Sequence, residues 1–160
     1  MPNREAAGNW HIENDDVMGG VSQSRIEYHD EIDGKIGVMS FEGEISLRNN
    51  GGFAQVLYTR EDFDLSGFDG LELVVKGDGK RYQIRIETIA KNVGYTHIFL
   101  TQEKWEVVKL KFKDFTPDHH GEPVPDAPPM NLKEIRSFGI LIGNNKEESF
   151  KFLLNKINFF

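Results

Sequence analysis

The sequence predicts an all-β protein with the architecture of a jelly-roll β-sandwich. Apolar and polar residues alternate with a period of two along most of the 160 residues, which is typical of half-buried strands. Glycine, asparagine and aspartate cluster between these stretches, as they do in tight turns. Helical periodicity is scarce, and eight or more short strands at near-regular spacing favour a sandwich. We therefore expect a single β-sandwich domain over residues 1–160.

Nine segments carry the alternation, and each is predicted to be a strand. In chain order they read SRIEYHD, KIGVMSFEGEISL, FAQVLYT, GLELVVKG, RYQIRIETI, YTHIFLT, KWEVVKLKF, SFGILIG and SFKFLLNKINFF. Turn residues such as Asp33-Gly34 separate most of them. The segment Gly77-Asp78-Gly79 lacks the following helix and lysine of a phosphate loop, so we predict a hairpin turn there.

Two segments depart from the strand pattern. Residues 131–136 are the best candidate for a turn or two of helix, with Asn131 placed to cap its first turn. Residues 116–130 form the longest predicted loop, which we expect to be extended and exposed. This loop holds five of the six prolines, which are Pro117, Pro123, Pro125, Pro128 and Pro129.

Alternation also assigns side chains to the two faces of the predicted sheets. In RYQIRIET, the side chains expected to point to the core are Tyr82, Ile84 and Ile86, and those expected to point outward are Gln83, Arg85 and Glu87. A polar outward stripe would suit a carbohydrate or peptide groove, and the residues that could share it are Glu72, Arg85, Glu87, Tyr95 and His97. The alternative is a solvated face with cross-strand ion pairs.

Composition narrows the classes of partner and compartment. The net charge is -7 and the pI about 5.2, which argues against nucleic acid and anionic membrane, because both require a basic face. The chain has no cysteine, which excludes disulfides, zinc–thiolate sites and a cysteine nucleophile. The first ten residues, MPNREAAGNW, show no signal or transit pattern, and no apolar run is long enough to span a membrane. We therefore expect a cytoplasmic protein without membrane insertion.

Two glycine-rich polar segments, NDDVMGGVS (14–22) and RNNGGFA (48–54), are the strongest candidates for a binding site. Their paired glycines release the backbone or allow close approach of another group; they are Gly19, Gly20, Gly51 and Gly52. The side chains that could face a ligand, such as a calcium ion, a sugar hydroxyl or a peptide backbone, are Asp15, Asp16, Asn49 and Asn50. The alternative is that these side chains bond back to the main chain and shape a tight crossing or a bulged hairpin.

Other conspicuous residues favour structural roles. Trp10 precedes the first glycine-rich segment, Phe53 lies in the second, and Trp105 lies in the segment KWEVVKLKF. We expect both tryptophans to anchor the core. The loop residues Asp118, His119, His120 and Glu122 match no zinc-site spacing. No G-x-S-x-G or H-E-x-x-H motif is present. We therefore predict no catalytic residue, no metal, no cofactor and no enzymatic activity.

The same motifs resemble those of a known family. Trp10 precedes NDDVMGGVS, and three further segments extend the likeness over residues 10–160: FEGEISLRNNGGFA, DLSGFDGLELVVKGDGKRYQIRI and KWEVVKLKFKDFTP. Together they resemble the complex I intermediate-associated protein 30 family. That resemblance implies a galactose-binding-domain-like β-sandwich. It also implies kinship with mitochondrial assembly factors, or chaperones, for the proton-pumping NADH:ubiquinone oxidoreductase, and without a presequence the chain looks like a bacterial relative.

Three functional hypotheses follow from these observations. A protein-binding domain that engages respiratory-complex subunits or assembly intermediates predicts an apolar or mixed surface patch beside residues 49–53. A carbohydrate-binding module, suggested by the shared architecture, predicts a groove with an exposed aromatic ring beside Arg85 and Glu87. A hydrolase would need a cleft with two carboxyl groups about 5 to 10 Å apart.

Overall fold

The computed structural model describes residues 10–160 and confirms the β-sandwich. The strands are β1 Trp10–Ile12, β2 Gln23–Ile32, β3 Lys35–Ile45, β4 Ala54–Phe63, β5 Gly70–Lys76, β6 Arg81–Thr88, β7 Gly94–Leu100, β8 Trp105–Lys111, β9 Thr116–His119, β10 Glu122–Pro123, β11 Ile135–Ile142 and β12 Glu148–Phe159. Short 3-10 turns lie at Asp15–Met18, Arg48–Asn50 and Phe112–Asp114. All of the paired strands are antiparallel.

The strands form two sheets that enclose one apolar core. The seven-stranded sheet has the order β1-β4-β11-β6-β7-β9-β10, and the five-stranded sheet has the order β2-β3-β12-β5-β8. The prediction of a hairpin at Gly77–Gly79 is wrong, because β5 and β6 lie in different sheets and this segment crosses between them. Asp78 shapes the crossing, since its carboxylate accepts hydrogen bonds from the Tyr82 hydroxyl at 3.0 Å and the Lys151 amide at 2.8 Å.

The core contains the inward face of β6, as alternation predicted. Tyr82, Ile84 and Ile86 are almost completely buried. Trp10 is also in the core, where its ring meets Tyr58 edge-on with a centroid distance of 5.1 Å. Burial of each large apolar side chain contributes about 1.5–3 kcal/mol, so these alternating rows supply much of the favourable free energy of folding.

Trp105 is not a core anchor, and the register of β8 gives the reason. Leu110 is buried on the inner face, so Trp105, an odd number of residues away, points to the outer face of the five-stranded sheet. Its indole Nε1 donates a hydrogen bond to Asp33 Oδ2 at 3.1 Å, and Lys35 Nζ lies 5.9 Å from the ring centroid. The tryptophan therefore covers the end of the β2–β3 hairpin.

The proline-rich segment is more ordered than its composition predicted. Its first part forms the β9–β10 hairpin at the edge of the seven-stranded sheet, with His120 and Gly121 at positive φ in the turn. The predicted helix at 131–136 is absent from the described chain. Asn131 instead accepts a hydrogen bond from the Lys133 amide at 3.2 Å, and β11 begins two residues later. A side-chain-stabilised turn has replaced the helical turn.

Candidate functional site

The two glycine-rich segments are joined by the carboxylate of Asp15, which is fully buried. Its Oδ2 atom accepts hydrogen bonds from the Ser22 hydroxyl at 2.5 Å, the Gly52 amide at 2.7 Å and the Phe53 amide at 3.3 Å. Its Oδ1 atom accepts a hydrogen bond from the Ser22 amide at 3.0 Å. The carboxylate thus satisfies donors from both loops and fixes one loop against the other.

Two glycines make room for this carboxylate. A β-carbon on Gly51 would lie 2.6 Å from Asp15 Oδ2, and one on Gly20 would lie 2.6 Å from Asp15 Oδ1. Both distances are shorter than van der Waals contact, so the glycines are required for close approach rather than for turn conformation alone. One glycine of each pair therefore serves the packing of the junction, while the other two, Gly19 and Gly52, adopt positive φ.

Burial alone would raise the pKa of Asp15, but the hydrogen bonds from Ser22, Gly52 and Phe53 outweigh burial and lower its pKa below that of a free aspartate. A carboxyl group with a lowered pKa stabilises the fold above its unfolded-state pKa of about 3.9, and that contribution disappears as the pH falls through the folded-state pKa.

We expect this linkage to be visible in an Asp15→Asn variant, which removes the charge but keeps the shape. The difference in free energy of unfolding between wild type and variant should be largest above about pH 5 and should shrink below about pH 4. Urea denaturation at a series of pH values measures that difference. A difference that stays constant down to about pH 3 would contradict the account.

The structure separates the four residues that the sequence grouped at these loops. Asp15 is enclosed in the junction, whereas Asp16 is exposed beside it. Asn49 and Asn50 are exposed and adopt positive φ values of 57° and 61°, a conformation that asparagine tolerates. Asn50 alone of the four lines the large cleft described next. The junction is therefore a sealed support for one wall of that cleft.

A cleft of about 780 Å³ lies on the outer face of the seven-stranded sheet. Its floor comes from the outward residues of β4, β11 and β6, and its walls come from the second glycine-rich loop, the β9–β10 turn and the β11–β12 loop. The lining residues used below are Glu13, Asn50, Phe53, Gln55, Gln83, Arg85, Glu87, Asp118, Glu122, Leu141 and Gly143. Both the volume and the mixed polar lining are those of a small-ligand or peptide site.

Arg85 organises one end of the cleft. Its Nη1 atom lies 2.5 Å from Asp118 Oδ1 on β9, and its Nε atom lies 3.2 Å from Glu87 Oε1 on β6. The guanidinium passes over Gly94, where any β-carbon would collide with it. Since the Arg85 and Asp118 side chains are only 15% and 16% exposed, this pair is fixed in place and tethers β9, the inner strand of the β9–β10 edge hairpin.

Gln55 provides an unsatisfied hydrogen-bonding group in the cleft. The residue is 7% exposed, and its Oε1 atom is buried without a hydrogen-bond partner among the described residues. This atom would lie 3.5 Å from a β-carbon on Gly139, so it rests above the glycine of the neighbouring strand. A buried acceptor without a partner costs about 1–3 kcal/mol, which a donor on a bound ligand would recover.

The predicted polar stripe is only partly correct. Arg85 and Glu87 do share the outer face and line the cleft. Tyr95 and His97 do not join them, because β7 pairs them with the inward residues Ile86 and Ile84. The His97 ring instead packs edge-on against Phe115, with a centroid distance of 5.4 Å. Glu72 lies in the other sheet.

Several residues that line the cleft were not predicted from the sequence to form a site. Gln55 carried a usable signal, because it is a glutamine inside the otherwise apolar stretch FAQVL. Gln83 was predicted to face outward but not to form a site. The contribution of Asp118 and Glu122 depends on the edge hairpin, which was predicted as an extended loop.

The cleft also has an apolar wall beside the second loop. Phe53 is half-buried there, Leu141 lies on the floor, and Leu47 is 38% exposed. This wall matches the mixed patch that the protein-binding hypothesis predicts beside residues 49–53. The half-buried ring of Phe53 lines the same cleft as Arg85 and Glu87, whereas the carbohydrate hypothesis predicts an exposed ring beside them.

Two features are absent from the part of the chain that the structure describes. Among the described side chains, no group of three or more His, Cys, Asp or Glu residues converges in a way that would hold a metal ion. No helix in this part of the chain has the length and apolar character needed to cross a bilayer.

Comparison with known sequences identifies the family. The profile described as complex I intermediate-associated protein 30 (CIA30) matches residues 2–154. The chain belongs to the CIA30 family. A relative from Schizosaccharomyces pombe, described as uncharacterized protein C9E9.15, is 27% identical over 175 residues, covering 93% of this chain and 78% of the relative. This relative is from fission yeast and gives no support for a bacterial origin, which stays a prediction.

Solved structures show the same fold. A family 11 carbohydrate-binding module from Clostridium thermocellum, in complex with a β-1,3-1,4-mixed-linked tetrasaccharide, superposes with a TM-score of 0.75. It is 19% identical, and the alignment covers 99% of this chain and 92% of the module. A non-crystalline cellulose specific module, CBM28, has a TM-score of 0.60 and 12% identity, with coverage of 99% and 96%. At these identities the likeness extends to the fold alone.

Proposed function

We propose that the chain is a non-enzymatic protein-binding domain that holds a segment of its partner in the cleft of the seven-stranded sheet. The partners that family membership favours are subunits or assembly intermediates of respiratory complex I. The observation that carries the binding role is the buried Gln55 acceptor, which has no hydrogen-bond partner in the described chain and lines the cleft. A backbone N–H of a bound segment is the kind of donor that would satisfy it.

The cleft is preformed, so a ligand can bind without first ordering the loops that line it. The Asp15 junction fixes the loop that carries Asn50 and Phe53, and the Arg85–Asp118 pair fixes the edge hairpin opposite. A rigid site loses little conformational entropy when the ligand enters, so modest contacts suffice for useful affinity. The mixed apolar wall would shelter apolar side chains of an incompletely assembled subunit.

The cleft gives little support to a hydrolase. Four carboxylates line the cleft, and two of them, Glu87 and Asp118, are paired with Arg85. These ion pairs fix the two side chains in place. The arrangement therefore favours recognition over acid–base catalysis.

Affinity co-purification with mass spectrometry tests the proposal. We expect the wild-type chain, expressed in its native host, to recover complex I subunits. A Gln83→Trp variant should recover at least about tenfold less, because the indole would fill the cleft floor where Gln83 lies. Folding of the variant is checked by its urea midpoint.

The matched control is Asn158→Trp, which places the same indole on the exposed face of β12 in the other sheet. It should recover complex I subunits as wild type does. Equal recovery by Gln83→Trp and wild type would exclude the cleft as the binding surface, and recovery of no complex I subunit by wild type would contradict the assembly role.

Carbohydrate binding is the second candidate function. It is favoured by the fold shared with carbohydrate-binding modules and by Phe53, whose ring lies in the cleft beside amide and carboxylate groups. Calorimetric titration with a β-1,3-1,4-mixed-linked tetrasaccharide tests it. Binding in the micromolar to millimolar range that Gln83→Trp abolishes would favour carbohydrate over protein as the ligand.

A further inference from the structure

A second, smaller cleft of about 540 Å³ continues the first along β6. Gln83 and Gly143 line both clefts, so the two meet at these residues. The second cleft extends toward the crossing at Gly79 and is flanked by two exposed apolar side chains of β7, Ile98 and Leu100. The pair thus forms one groove, referred to below as the β6 groove.

The outward residues of β6 set the length of the β6 groove. Arg81 lines the second cleft, Gln83 lines both, and Glu87 lines the first. Six residues of an extended strand span about 20 Å, so the groove accommodates about six residues of an extended peptide.

The two ends of the β6 groove carry opposite charge. The first cleft is lined by four carboxylates, those of Glu13, Glu87, Asp118 and Glu122, and by the guanidinium of Arg85, for a formal charge of −3. The second is lined by the cations of Lys80, Arg81 and Lys146 and by the carboxylate of Glu148, for a formal charge of +2.

Part of this charge is already neutralised within the chain, and the remainder keeps the same polarity. Arg85 forms ion pairs with Glu87 and Asp118, and Lys80 Nζ lies 3.6 Å from Asp78 Oδ2. Within the part of the chain that the structure describes, Glu13 and Glu122 have no ion-pair partner at one end. Arg81 and Lys146, both exposed, have none at the other. Glu148 also lacks an ion-pair partner at the second end, but its carboxylate oxygens are buried, so the exposed charges there are those of Arg81 and Lys146.

We infer that the β6 groove binds an extended peptide segment of bipolar charge, with basic residues over the first cleft and acidic residues over the second. This inference rests on the proposed protein-binding function and adds the chemistry and orientation of the bound segment. Opposite charges at the two ends favour one direction of binding and disfavour the reverse, since reversal places like charges together. Uncharged oligosaccharides gain nothing from this polarity.

Synthetic peptides test the inference by fluorescence anisotropy at about 50 mM salt, where screening is modest. Each peptide has about eight residues of serine, threonine and glycine with charged ends: lysines at one end and glutamates at the other, lysines at both, glutamates at both, or none. We expect the bipolar peptide to bind about tenfold more tightly than any other, because several partly exposed ion pairs add together. No detectable binding of the bipolar peptide at millimolar concentration overturns the inference.

Charge reversal then provides a specificity switch. In Arg81→Glu/Lys146→Glu the cationic end becomes anionic, so the peptide with lysines at both ends should become the preferred ligand. The matched control, Lys111→Glu/Lys113→Glu, makes the same charge change at exposed residues next to the edge of the other sheet and should keep the bipolar preference. Equal shifts in both variants would mean that net charge alone governs binding and would overturn the inference.

The two proposals fail in different ways. If Arg81→Glu/Lys146→Glu still recovers complex I subunits as wild type does, the bipolar groove is excluded while the protein-binding function stands. If the mixed-linked tetrasaccharide displaces the bipolar peptide and binds wild type and charge-reversed variant alike, the groove is a carbohydrate site and both proposals are overturned.

Discussion

Replacement of Asp15 by alanine is expected to lower the free energy of unfolding by about 3–5 kcal/mol. The substitution leaves the amides of Ser22, Gly52 and Phe53 without their acceptor inside a closed junction, while the Ser22 hydroxyl keeps the Ser46 carbonyl as an acceptor at 3.2 Å. Each unsatisfied buried donor costs about 1–3 kcal/mol, although partial relaxation keeps the total below the sum. Urea denaturation of the variant measures the loss directly.

The neighbouring residue provides the control. Asp16 has the same chemistry but is exposed, so Asp16→Ala should change the free energy of unfolding by no more than about 0.5 kcal/mol. Equal losses in the two variants would mean that the charge of the first loop, rather than the buried hydrogen bonds of Asp15, stabilises the junction.

Replacement of Gln55 by leucine is expected to reduce the recovery of complex I subunits by at least about tenfold and to raise the free energy of unfolding by up to about 1–3 kcal/mol. The leucine fills a similar volume on the cleft floor but offers no acceptor to a ligand, so binding loses a buried hydrogen bond. The folded protein loses nothing equivalent, since Oε1 has no partner among the described residues. Opposite behaviour of binding and stability is the signature of a ligand-directed group.

The control for this variant is Gln102→Leu, because Gln102 is exposed in the loop after β7 and lies outside both clefts. It should leave both recovery and stability unchanged. A Gln55→Leu variant that is several kcal/mol less stable would show that the amide serves the fold, and unchanged recovery would remove Gln55 from the binding site.

The fold was accessible from the sequence because strand alternation repeats over many segments. The period-two pattern in RYQIRIET correctly assigned Tyr82, Ile84 and Ile86 to the core. It failed for Trp105, because residue type suggested burial while the register of the edge strand β8 directs the ring outward. Short local signals also failed at 131–136, where one asparagine side chain suits a turn as well as a helix cap.

The candidate site was less accessible because its residues meet only through sheet pairing. Arg85 and Glu87 could be assigned to one outward face, but their neighbours depend on which strands adjoin β6. Alternation cannot supply that order, so Asp118 and Gln55 were missed and His97 was wrongly included. The glycine-rich loops were recognised as special, yet the closed hydrogen bonding of Asp15 cannot be distinguished by sequence from an open carboxylate.

Site-specific photo-crosslinking in the native host tests the central claim, that a partner protein docks in the cleft. A photoreactive phenylalanine analogue would replace Gln83 on the cleft floor or, as the control, Asn158 on the outer face of the other sheet. We expect cross-links to complex I subunits from position 83 and none from position 158. Cross-links that are equally abundant from both positions, or that form only from position 158, would contradict it.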